Sequence, residues 1–179
     1  KDEFNNWAIF SEISSCPATM EAGKAADAYG MMPGHTVEAA DGESAYTQAT
    51  LDSEIPTWIS LPYERWPDDW KRRFKPEDKP VCPLLLALYG HPDAGGYWER
   101  HCTEKLLKCG FTPMDATAWR SVFWHKDWKL MLVVYVDDFK LAAPAGLIDK
   151  IWKMLREHIA VDDPTPPDRF LGCYLEEFS

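Results

Sequence analysis

The sequence lacks the features that would direct it to a membrane or to bulk nucleic acid. No apolar run in it reaches the roughly 18 residues of a transmembrane helix, and no secretory signal opens it. Its formal net charge is −10, whereas free-standing nucleic-acid-binding domains usually carry a basic excess. The five cysteines show neither paired nor zinc-ligand spacing, so we expect reduced thiols in an intracellular protein that is not secreted.

What the chain does have is material for a packed core. Its 179 residues are 46% hydrophobic and 13% aromatic, which excludes a disordered chain. This length is enough for one sizeable domain or two small ones.

The most informative stretch is an apolar run followed by two adjacent acids. Residues 130–136 have the composition of a buried strand, and Asp137 and Asp138 follow directly. Two carboxylates this close repel, so one of them protonates unless a cation is bound. Taken locally, the pair is either a solvated hairpin turn, which is the commoner case, or part of a metal site.

Periodicity and turn residues predict an α+β fold. The predicted elements are a helix at 17–30, strands at 35–41 and 57–61, a helix at 97–109, strands at 121–125, 128–136 and 139–143, a helix at 145–160 and a last strand at 169–178. From residue 35, with a Pro-rich excursion at 62–80 left out, the order is strand, helix, hairpin, helix, strand. This is the split β-α-β plan of a ferredoxin-like core, with helices packed on one face of an antiparallel sheet.

That plan brings a third acid to the hairpin. The first strand ends at Asp41, and in the split plan this end lies beside the central hairpin, so Asp41 approaches Asp137 and Asp138. Three converging carboxylates favour a metal site over a turn. Oxygen ligands of this kind suit two Mg²⁺ (or Mn²⁺) ions, which catalyse in-line phosphoryl or nucleotidyl transfer.

Several short motifs then resemble one family. Tyr135-Val-Asp-Asp138 resembles the catalytic signature of reverse transcriptases. Asp41-Gly-Glu-Ser-Ala-Tyr46, Leu88-Tyr-Gly90 and Phe170-Leu-Gly172 are similar to further landmarks of the copia-type (Pseudoviridae) retrotransposon branch. The resemblance extends from about Ser14 to the end of the sequence. It implies a polymerase palm with partial fingers.

The resemblance also implies residue roles. Asp41, Asp137 and Asp138 would be catalytic and metal-binding, and the Gly42 carbonyl would help to hold the metal. The implied substrate-binding residues are Gly42, Tyr46 as a gate under the incoming sugar, Tyr135 near the primer terminus, and Gly90 beside the template and nascent base pair. A tyrosine such as Tyr46 is more often a half-buried core aromatic than a gate, and only its place soon after Asp41 favours the gate.

The implied function is RNA-directed DNA polymerisation by a retrotransposon polyprotein. Residues 1–34 would be partial fingers with a leading helix and 35–179 the palm, with thumb and ribonuclease H absent. The expected partners are an RNA/DNA template-primer, a dNTP and the remaining polyprotein domains. The segment after Gly90 carries Asp93 where the family has a basic residue and a Ser-Pro step, which leaves an alternative open: a polymerase-inactive palm remnant with a structural or interaction role in a protein assembly.

Overall fold

The computed structural model describes residues 17–53, 55–115 and 117–175. Its helices are α1 (Met20–Gly30), α2 (Asp68–Arg73), α3 (Ala94–Lys108) and α4 (Ile148–Arg156). Its strands are β1 (His35–Asp41), β2 (Trp58–Ser60), β3 (Val81–Pro83), β4 (Thr112–Asp115), β5 (Trp119–His125), β6 (Leu130–Tyr135), β7 (Asp138–Pro144), β8 (Arg169–Phe170) and β9 (Cys173–Tyr174).

Five of these strands form one antiparallel sheet in the order β1-β7-β6-β5-β4. Strands β4 to β7 follow one another through short turns. Strand β1 then pairs with β7 from His35 opposite Pro144 to Asp41 opposite Asp138. The predicted antiparallel sheet, including the first strand beside the central hairpin, is therefore present.

Both faces of the sheet are covered by helices. Leu132 of β6 belongs to a buried cluster with residues of α3 and α4, whereas its neighbour Val133 packs with Ala22 and Ala26 of α1. The prediction of helices on one face concerned the elements from residue 35 onward, and α3 and α4 agree with it. Helix α1, which precedes residue 35, lies on the opposite face. The reason is in β6 itself: an unbroken apolar strand presents hydrophobic side chains on both sides, and both must be buried.

The predicted last strand is also corrected. Within 169–175 the chain turns back as a two-stranded hairpin, β8 with β9, separate from the main sheet. Leu171 and Gly172 have φ values of 52° and 77°, which is the pattern of a tight hairpin turn. Residues 176–178 of the prediction lie outside the described residues. The free edge of β1 pairs instead with residues 161–165, where Ala39 and Thr165 exchange two backbone hydrogen bonds.

The excursion at 62–80 is a compact aromatic unit around α2. Trp66 is buried and its indole N–H donates to the Leu61 carbonyl. Trp70 packs edge-on between Trp66 and Phe74, with ring centroids 6.1 and 6.3 Å apart.

No helix in the described part of the chain is both long and apolar enough to cross a membrane. Over the same ranges four cysteines are present as free thiols: Cys82, Cys102, Cys109 and Cys173.

Candidate functional site

The β6–β7 hairpin carries the adjacent acids in its tight turn. Tyr135 and Asp138 are opposite each other at the strand ends, and Val136 and Asp137 are the two central residues. Val136 has a φ of 55° and Asp137 does not have a positive φ. A positive φ at the first central position alone is the pattern of a type II′ turn.

Pairing between β1 and β7 brings the third acid to this turn. Asp41 lies directly opposite Asp138, and the backbone N–H of Gly42 donates to the Asp137 carbonyl at 2.6 Å. Asp41, Asp137 and Asp138 therefore meet at one strand end, as the strand order predicted.

The neighbouring acids affect the ionisation of Asp138. Burial raises the pKa of Asp138 to about 6, with further contributions from the charges of Asp41 and Asp137 and from a hydrogen bond with Asp41. Repulsion from these two charges therefore adds to the cost of ionising Asp138.

The two strand-end acids face an open cavity of about 860 Å³ on the α1 side of the sheet. Tyr135 lines it beside Asp138, and Ala18 and Met20 form part of its wall. Five acidic residues line this cavity and, among the described residues, no basic one does: Asp41, Asp138, Asp162, Asp163 and Asp168. Sequence reasoning missed the last three, because their place beside β1 depends on the pairing of residues 161–165, which no local pattern signals.

The oxygen atoms near the turn are of the chemical type that binds hard divalent cations. All the neighbouring groups are carboxylate or carbonyl oxygens, the ligands that Mg²⁺ prefers, and the raised pKa of Asp138 indicates that a positive charge at this place would be stabilising. The side-chain arrangement is not that of a closed metal site, however. Within 17–53, 55–115 and 117–175, no three His, Cys, Asp or Glu side chains are grouped closely enough to hold an ion.

Gly42 lies where β1 approaches the turn closely. A Cβ added there would lie 3.3 Å from the Asp137 carbonyl oxygen and 3.4 Å from Cε2 of Phe139. The first contact is slightly tighter than an ordinary van der Waals contact, and the second is at its limit. A larger residue would therefore require the turn to shift by a few tenths of an ångström.

Tyr46 lies on the α3 side of the sheet rather than in the acidic cavity. It is half-buried against the core, and its ring centroid is 4.4 Å from that of Tyr89. Burial, Tyr89 and the Asp137 charge together raise the pKa of Tyr46, so the phenol is near Asp137. The position is compatible with both a gate and a core aromatic.

Gly90 and Asp93 lie in the turn that leads into α3. Gly90 is exposed with a φ of 93° and has no atom within 4 Å of an added Cβ. Asp93 is 8% exposed, and its backbone N–H donates to Nδ1 of His91. Gly90 joins the rest of the site through its neighbour Tyr89, which packs on Tyr46.

A strand-end set of three acids beside an antiparallel sheet is the arrangement expected of a nucleotidyl-transferring polymerase domain. A family model described as reverse transcriptase (RNA-dependent DNA polymerase) matches residues 6–178 of the sequence. The chain therefore belongs to the reverse transcriptase family.

One similar protein is a transposon protein of yeast. A putative transposon Ty5-1 protein of Saccharomyces cerevisiae (strain ATCC 204508 / S288c) is 26% identical to this chain over 140 residues. The match covers 78% of this chain and 42% of that protein, so the chain spans less than half of its relative. The resemblance to copia-type retrotransposon reverse transcriptases is confirmed.

Proposed function

We propose that this chain is the palm, with part of the fingers, of a protein that copies RNA into DNA by adding dNTPs to a primer 3′-hydroxyl. The observation that carries the proposal is the pairing of Asp41 with Asp138 across β1 and β7, with Asp137 in the adjoining turn. Residues 1–34 are assigned to the fingers and 35–179 to a palm of split β-α-β type. The partners are an RNA/DNA template-primer, a dNTP and further polyprotein domains, inside the cell.

In this proposal Asp41, Asp137, Asp138 and the Gly42 carbonyl would supply oxygen ligands to two divalent ions. Mg²⁺ or Mn²⁺ held there would lower the pKa of the primer hydroxyl and neutralise the charge of the leaving pyrophosphate.

The remaining site residues position the substrates. Tyr135 lies beside Asp138 in the cavity wall, where the primer terminus would reach the acids. Tyr46, supported by Tyr89, would contact the incoming sugar, and the turn at Gly90 would lie beside the nascent base pair.

A second candidate is a palm fold that no longer polymerises and acts as a structural subunit in a protein assembly. The lining of the cavity favours it, since the described residues that line it include five acids and no basic residue to receive a triphosphate. Asp93, in a segment that is basic in the family, adds a further negative charge.

Primer extension on an RNA template by the full-length parent tests the proposal. Asp137→Asn should lower the extension rate at least about 100-fold, since it removes charge stabilisation at the reacting phosphate. Asp127→Asn, which changes an exposed acid in the β5–β6 turn, is the matched control and should leave the rate unchanged. Undiminished extension by Asp137→Asn would refute the site.

Heat stability in Mn²⁺ separates the two candidates in the isolated chain. An ion that binds only the folded state raises the melting temperature. We expect this increase in the wild type and in Asp127→Asn and its loss in Asp137→Asn. If neither Mn²⁺ nor Mg²⁺ changes the melting temperature of the wild-type chain, the result would support the structural candidate.

A further inference from the structure

The turn between the two strands of the catalytic hairpin adopts a backbone conformation that its own sequence disfavours. Val136 has a φ of 55°, in the left-handed region where a β-branched side chain is strongly disfavoured. Glycine or asparagine is the usual residue at such a position. Something outside the turn must therefore hold Val136 in this state.

Two hydrogen bonds from other elements hold the central residues of the turn. The indole N–H of Trp98 in α3 donates to the Val136 carbonyl, and the Gly42 N–H, just after β1, donates to the Asp137 carbonyl. Trp98 is 2% exposed. Its ring packs edge-on against Phe139, with centroids 6.5 Å apart, so the indole has little freedom to turn away.

The first of these bonds acts on the orientation of the central peptide. In a two-residue turn the carbonyl of the first central residue belongs to that peptide. Reversing the peptide changes ψ of Val136 and φ of Asp137 by about 180° and converts a type II′ turn into type I′, in which the second central residue also has a positive φ. The Val136 carbonyl would then point away from Trp98, so the indole N–H selects the observed type II′ state, in which Asp137 does not have a positive φ.

The same peptide sets the backbone of the acids. Its nitrogen is that of Asp137, whose carbonyl accepts the Gly42 hydrogen bond, so reversing the peptide would change φ of Asp137 and strain that bond. We propose that Trp98 is a positioning residue, whose indole N–H holds the Val136–Asp137 peptide in the orientation in which the turn presents Asp137 and Asp138 beside the end of β1. The catalytic meaning of this role rests on the proposed function, whereas its effect on the turn does not.

The direct test measures the turn itself by amide hydrogen exchange in the 179-residue chain. Trp98→Phe keeps a ring in the core but removes the donor, and it should accelerate exchange at the Gly42 N–H about tenfold. Trp152→Phe changes an equally buried tryptophan of the same core cluster, on α4, and should leave Gly42 unaffected.

A second substitution, at Val136, distinguishes a positioning role of Trp98 from a packing role. Glycine adopts a positive φ without support, so Val136→Gly in the Trp98→Phe background should restore most of the Gly42 protection. Independent, additive effects of the two substitutions would overturn the proposal, as would equal acceleration by Trp98→Phe and Trp152→Phe.

A variant outside the core keeps the proposal testable if Trp98→Phe fails to fold. Val136→Asn combined with Asp137→Gly introduces the Asn-Gly pair that favours type I′, the turn with the reversed peptide, so it should expose the Gly42 N–H to exchange. Val136→Gly alone favours type II′ and should keep that N–H protected. Protection retained in the Asn-Gly variant would overturn the proposal.

In the parent enzyme, Trp98→Phe should lower kcat for nucleotide addition about tenfold with little change in KM for template-primer, and Val136→Gly should recover it. A loss confined to KM would contradict a positioning role. If the wild type shows no extension, the proposed function fails while the exchange experiment still decides the role of Trp98 in the turn.

Discussion

A buried ion pair fixes α1 to the strand that begins at Asp138, and breaking it gives a measurable prediction. The Lys140 ammonium lies 2.7 and 2.9 Å from the two carboxylate oxygens of Asp27 in α1. The side chains of Lys140 and Asp27 are 1% and 17% exposed. The same ammonium lies 4.4 Å from the ring centroid of Phe170, so one cation links β7, α1 and the β8–β9 hairpin.

The expected change in the free energy of unfolding depends on whether a substitution leaves a buried charge without its partner. Lys140→Met keeps the aliphatic stem but leaves the Asp27 charge without its partner, and removing one member of a buried pair costs about 3–5 kcal/mol. Because Asp27 keeps some contact with water, we expect the lower end, about 3 kcal/mol. Asp27→Leu combined with Lys140→Met removes both charges, and such apolar replacements are close to neutral. The double variant should therefore be about as stable as the wild type.

Urea unfolding with linear extrapolation measures these differences. Lys153→Met removes an exposed lysine from α4 and serves as the control, with an expected change within about 0.5 kcal/mol. The reasoning is refuted if Lys140→Met costs less than about 1 kcal/mol, or if the double variant is no more stable than Lys140→Met alone.

Two further predictions concern protonation and backbone space. The pKa of Asp138 is raised to about 6, so the folded chain keeps a proton there that the unfolded chain releases near its ordinary pKa of about 4. The stability of the metal-free chain should therefore fall as pH rises from 4 to 6, and thermal melts of Asp138→Asn should lack that part of the slope; identical slopes would contradict the assignment. Gly110→Ala should cost about 1–3 kcal/mol, because Gly110 has a φ of 85° and an added Cβ would lie 2.7 Å from Nε2 of His125. Gly146→Ala, which has open space for a Cβ, is the control, and equal melting temperatures for the two variants would count against this explanation.

The sequence predicted the centre of the site well because the signals there are local. An apolar strand that ends in two acids needs no distant information, and the strand and helix order was enough to place Asp41 beside Asp138. Both features are present in the structure. The family assignment followed from the same motifs and is confirmed.

What could not be predicted depends on contacts between distant segments. Helix α4 ends at Arg156, four residues before its predicted end at Ala160, because Ala160 is bound elsewhere: its N–H and carbonyl pair with the side-chain amide of Gln48. This pairing leads the chain into 161–165 beside β1 and so brings Asp162 and Asp163 to the cavity. No periodicity in the sequence encodes such a contact.

The pairing of β1 with β7 also has a consequence for how the protein folds. Strands β4 to β7 are joined by short turns, whereas the Asp41–Asp138 pair closes a loop that spans more than half of the chain. Local hairpins form early and long loops close late, so we expect the meander to form first and β1 to dock last. During synthesis Asp41 would then remain apart from Asp137 and Asp138 until β7 has emerged, and the ions of the proposed function would stabilise only the completed sheet.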